Sequence, residues 1–70
     1  MNRQPVKSSN LNSVGYDSTN NILEIQFNSG SIYQYFNVPN SIYMDLMKAA
    51  SKGGYFHKNI KERYKFERIR

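Results

Sequence analysis

Seventy residues with a net charge of +5, no Cys, one His and five carboxylates make one small basic domain. A chain this short buries only about 60% of the surface it exposes when unfolded, so its core is small and its stability modest. The same composition excludes disulfides and thiolate metal sites, gives no basis for a metal cage or a cofactor, and contains no apolar run near the ~20 residues of a membrane span.

Residues 1–5 are polar and read as a flexible N-terminus without the apolar segment of a secretory signal, so a cytoplasmic location is expected. Residues 6–70 read as a single domain. Val6 to Ser9 has no helical period and is expected to be extended. Asn10 to Tyr16 follows as a strand, with Val14 and Tyr16 on one face and Gly15 marking a bulge or a close neighbour. Asp17 to Asn21 is a run of turn-forming residues. Ile22 to Phe27 then alternates with a period of two, placing Leu23, Ile25 and Phe27 on one face and Glu24 and Gln26 on the other.

Asn28-Ser29-Gly30 suits a three-residue hairpin loop in which Gly30 takes the left-handed conformation. That loop pairs Ile25 with Tyr33 and Leu23 with Tyr35. A slip of one residue would move both tyrosines to the other face. After Pro39 the apolar spacing lengthens to about 3.6, predicting a helix from Pro39 or Asn40 to Ser51 or Lys52, with Ile42, Leu46, Ala49 and Ala50 inward. Gly53-Gly54 is expected to cap it in a left-handed conformation, and Lys48 and Lys52 complement its dipole. A second short helix is predicted from Tyr55 to Arg63, with Phe56, Ile60 and Tyr64 in line. Tyr64 to Ile69 alternates again, which fits a short fourth strand or an extended tail.

The expected fold is α+β, a small antiparallel meander of three strands, with room for a fourth, packed on a main helix and a second short one. The expected core is Val14, Leu23, Ile25, Phe27, Tyr33, Tyr35, Leu46, Ala50, Phe56 and Ile60. The opposite sheet face carries Ile22, Glu24, Gln26, Ile32, Gln34 and Phe36, mixed enough to attract a partner or lie under the tail.

These pieces occur in a recognisable order: Ser8-Ser9, Gly15-Tyr16-Asp17, Phe27, Gly30, Tyr33-x-Tyr35, Val38-Pro39, Tyr43, Ala50-Ser51-Lys52-Gly53, Tyr55-Phe56, then Asn59-Ile60 before Tyr64. The set resembles the KTSC domain, a module named after the C-terminal extension of some lysyl-tRNA synthetases and also found as free-standing bacterial or phage proteins. The resemblance covers about Val6 to Ile69 and implies this fold; through the synthetase context it implies a role with RNA. Lys61 stands where an Arg is common in the family, keeping the charge but losing the forked donor set.

No catalytic set is visible, since His57 has no Ser or Cys partner implied by spacing, and Glu62 and Glu67 read as local charge partners. The charge distribution is more informative. Residues 1–47 hold two basic side chains against three acidic, whereas residues 48–70 hold eight against two. Exposed rings beside Lys and Arg hold single-stranded nucleic acid, with bases stacking on rings and cations following the backbone. Lys52, Lys58, Lys61, Arg63, Tyr64, Lys65 and Arg68 are the candidate RNA- or nucleic-acid-binding residues. Tyr33 and Tyr35 are either core or binding rings; the register favours core.

The expectation is a non-catalytic nucleic-acid-binding domain, monomeric or weakly dimeric. The alternative is a protein-interaction module, a bacterial or phage accessory protein that meets an acidic partner through its basic face or a second copy through its sheet. A membrane-surface role ranks third, because the apolar line of the second helix is too narrow for firm insertion.

Overall fold

The computed structural model describes residues 1–70. Alternating apolar positions build a five-stranded antiparallel sheet whose order follows the chain: β1 (Gln4–Pro5), β2 (Leu11–Asp17), β3 (Ile22–Phe27), β4 (Ile32–Tyr35) and β5 (Phe66–Arg68). Two helices, α1 (Asn40–Lys48) and α2 (Lys52–Asn59), intervene between β4 and β5. The α+β class is as expected. The optional fourth strand is present as β5, and a fifth strand arises at Gln4–Pro5, within the segment expected to be loose.

The central hairpin has the expected register, with Leu23 opposite Tyr35 and Ile25 opposite Tyr33. Gly30 sits at φ +97°, and Phe27 N–H donates to Ser31 O at 2.9 Å, closing the three-residue loop. At the preceding turn, the Asp17 carboxylate accepts from the Thr19 and Asn20 backbone N–H groups at 3.0 and 3.3 Å, and from the Asn20 side-chain amide at 2.9 Å. The Asn20 bonds lead in holding this carboxyl below its usual range.

Gly15 was expected at a bulge or beside a close neighbour, and the close neighbour is the finding. A Cβ there would meet the Asn2 carbonyl oxygen at 2.6 Å. The register irregularity lies instead between Leu11 and Ser13. The N-terminal arm thus crosses the outer face of the sheet directly over Gly15.

Leu11, Val14, Leu23, Ile25, Tyr35, Val38, Leu46, Phe56 and Ile60 form the buried core. Each fully buried aliphatic side chain contributes roughly 1.5–3 kcal/mol. Phe27 and Tyr33 pack against this core while remaining half-buried. Tyr16 fastens the sheet to the first helix: its hydroxyl donates to Val38 O, and its ring stacks on Tyr43 with centroids 4.8 Å apart.

The helices correct three expectations. First, α1 stops at Lys48 because Ala49 is extended (φ −64°, ψ 138°), which leaves Ala50 exposed rather than in the core. Second, Gly53 and Gly54 do not cap α1; they lie in the first turn of α2, and neither has positive φ. The Ser51 hydroxyl accepts from Gly54 N–H at 3.2 Å, an N-cap that starts a new helix at the point where the old one was expected to end. A Cβ on Gly54 would lie 2.9 Å from that hydroxyl, so the close approach favours Gly there. Third, α2 ends at Asn59 rather than reaching Arg63; the Ile60 and Lys61 N–H groups both donate to Phe56 O, tightening the exit.

Candidate nucleic-acid interface

Because α2 ends early, Lys58, Lys61 and Lys65 do not share one helical face. Lys58 is on the last turn of α2, Lys61 and Arg63 are in the turn after it, and Lys65 immediately precedes β5. All four are exposed. Lys58, Arg63 and half-buried Tyr64 nevertheless come together, lining a shallow depression with His57 and Glu62. Lys65 borders a second shallow hollow that shares Arg63 and Tyr64 and continues to Phe66.

Lys52 stands apart. Its ammonium donates to Ala49 O at 3.1 Å, satisfying a carbonyl at the end of α1. The dipole role expected for it is therefore the one its geometry shows. Arg68 lies on β5 opposite Tyr33, so it shares the helix-facing side of the sheet, and its Nε–H donates to Arg70 O at 3.0 Å.

The tyrosines divide. Tyr35 is only 4% exposed and packs edge-on to Phe56 at 5.5 Å, so it is a core residue. Burial, reinforced by neighbouring Tyr33, pushes its hydroxyl up to about 12. Tyr33 is half-buried, 5.7 Å from both Phe27 and Phe66.

These rings continue into a feature that strand-by-strand reading missed. Phe27, Tyr33, Tyr35, Phe56 and Phe66 line a groove of about 510 Å³ between the hairpin tip and the C-terminal segment, with Lys61 and Glu62 at its border. Phe66 is 56% exposed, the most exposed large apolar side chain in the chain. The signal for it was the Tyr64–Ile69 alternation: pairing of Phe66 with Tyr35 puts that ring beside the hairpin rings.

A second missed feature lies on the opposite face. Glu24 is buried, paired with Arg3, and accepts from the Gln34 side-chain amide at 2.8 Å. Arg3 also donates to the Ser13 hydroxyl at 3.2 Å, which in turn donates to Gln26 at 3.2 Å. Arg3–Glu24 is the single ion pair of the chain, so no cation of the C-terminal third is matched to a carboxylate. Nor does any group of three metal-ligating side chains gather. No helix is long and apolar enough to cross a membrane.

The structure defines a small α+β domain with a basic C-terminal surface next to a ring-lined groove. It belongs to the KTSC domain family, whose model matches residues 7–64. A KTSC domain protein from Yersinia pestis, known from its crystal structure, superposes with a TM-score of 0.96 at 43% identity, covering 99% of this chain and 97% of that one. A lysine–tRNA ligase from Trichormus variabilis is 48% identical over 54 residues, 77% of this chain. An uncharacterised protein from Stutzerimonas stutzeri is 40% identical over 70 residues, covering 99% of both chains. The aligned region spans about a tenth of the length of the ligase, against nearly all of the Stutzerimonas protein.

Proposed function

We propose that this domain is a non-catalytic module that binds RNA or another single-stranded nucleic acid through its C-terminal basic surface, in the cytoplasm. The observation that carries the reading is the state of the charges. Lys58, Lys61, Arg63 and Lys65 are exposed and none has a carboxylate partner; Lys58, Arg63 and Lys65 gather around Tyr64, and Lys61 lines the groove that Phe66 also lines. Such cations are free to displace counterions from phosphates, while the rings offer faces to bases. The occurrence of a similar segment in an enzyme named for its tRNA substrate supports the same direction. Lys52 contributes mainly to α1, and Arg68 flanks the rings.

The test is titration of a labelled single-stranded RNA with the intact chain, followed by anisotropy at several salt concentrations. Four phosphate contacts on a single strand give a log–log salt slope of about −3. The triple variant Lys58→Glu, Lys61→Glu, Lys65→Glu is expected to lose affinity by about 100-fold or more while keeping its melting temperature near that of the unmodified chain. A flat titration at low salt removes the reading. Recovery of an acidic protein from nuclease-treated lysate, with no RNA affinity, replaces it with the protein-interaction alternative.

A further inference from the structure

We propose that the groove walled by Tyr33 and Phe66 receives one unstacked nucleobase of the bound single strand, so that the domain holds a base as well as a backbone. This rests on the nucleic-acid reading above and adds a specific site to it. Phe66 is tilted by 48° to Tyr33 and by 39° to Tyr35, at 5.7 and 5.8 Å. It is stacked face to face on neither, and more than half of it is exposed. A large ring held in place by strand pairing, with a face not used by a neighbour, is what base stacking requires.

The groove has the volume of a small-molecule site, about 510 Å³. Among its lining rings, Tyr35 is buried and packs edge-on to Phe56 at 5.5 Å, which anchors that part of the wall in the core. Its border is polar, with Ser31 on the hairpin side and Lys61 and Glu62 on the helix side. A carboxylate can accept from a base's exocyclic amine or ring N–H, and hydroxyls can donate or accept. The surroundings match a phosphate-linked ligand: Lys61 at the border, Lys65 just before β5 and Arg68 across from Tyr33 are cations without carboxylate partners. An apolar peptide side chain would use the rings but not this charge.

The experiment compares binding of a uridine octanucleotide with that of an abasic ribose-phosphate chain of the same length, and of the deoxy counterparts of both. Intact protein is expected to bind the base-bearing strand about 5- to 100-fold more tightly than the abasic one, for one sugar or both. Phe66→Ala is expected to remove that difference while keeping the salt slope. Phe66→Leu, which keeps the apolar contact and loses the ring, is expected to do the same and guards against a folding artefact. In the unmodified protein, amide shifts at Ser31 and Tyr33 should follow the base-bearing strand only. Equal, salt-dependent binding of base-bearing and abasic strands overturns this inference and leaves the proposed function standing. No binding of either at low salt removes both.

Discussion

Arg3 on the outer face of the sheet and Arg63 after α2 carry the same guanidinium, yet their surroundings differ. Arg3 is paired with Glu24 on β3 and bonded to Ser13 on β2, tying the N-terminal arm to two strands, and Glu24 in turn accepts from Gln34 on β4. Arg63 is exposed, forms no ion pair and shares its shallow surroundings with Lys58, Lys65 and Glu62. A charge used for structure is neutralised and partly buried, whereas an unmatched charge stays in water and repels its neighbours. The contrast explains why total charge says less than the location of unmatched charge.

The largest break in that comparison comes from Arg3→Ala. It leaves the Glu24 carboxylate buried without its cation and is expected to cost about 2–3 kcal/mol, lowering the melting temperature by roughly 10 °C or more. Affinity for RNA at a temperature where the variant is folded should not change. A thermal melt and a titration on one preparation check both.

Tyr35 gives the next effect, on the ring-lined side. Its hydroxyl is pushed from the usual value near 10 up to about 12 by burial. The folded chain therefore holds a proton that the unfolded chain releases, so stability is full below pH ~10 and falls as pH rises towards about 12. The drop is expected to be about 1–2 kcal/mol across that window. Spectrophotometric titration should lose its component near pH 12 in Tyr35→Phe, while the Tyr16 and Tyr55 hydroxyls, which burial also raises, remain late.

Gly15→Ala puts a methyl against the Asn2 carbonyl and displaces the arm. A cost of about 1 kcal/mol is expected, less than that of Arg3→Ala if the arm can shift, with the two effects not adding because they share one segment. Denaturant melts of the single and double variants measure this. Smallest of all, Arg63→Ala should change stability by no more than about 0.5 kcal/mol while weakening RNA binding, the reverse of Arg3→Ala.

The central hairpin was legible because period, loop type and register are local: Gly30 and the alternation on each side define which residues face one another. The core followed from it, with Leu23, Ile25, Tyr35, Leu46, Phe56 and Ile60 all inside. The helix boundary was not legible, because Gly53-Gly54 serves equally as the end of one helix or the first turn of the next; the Ser51 cap decided it. Ala50 was lost from the core for the same reason. Arg3–Glu24 joins residues 21 positions apart, and nothing in either neighbourhood announces the other. Of the candidate interface, the basic residues were legible as a set, but their arrangement around a turn, with Lys52 committed to α1, required the fold.

The path of the arm decides which side of the sheet Met1 occupies. Met1 comes within 3.2 Å of where a methyl on Gly15 would stand, on the side of the sheet away from the helices. A label attached at Met1 would therefore leave from that rear side, away from the groove lined by Tyr33 and Phe66. Attachment to a solid support through that end would likewise leave the ring-lined side turned outward.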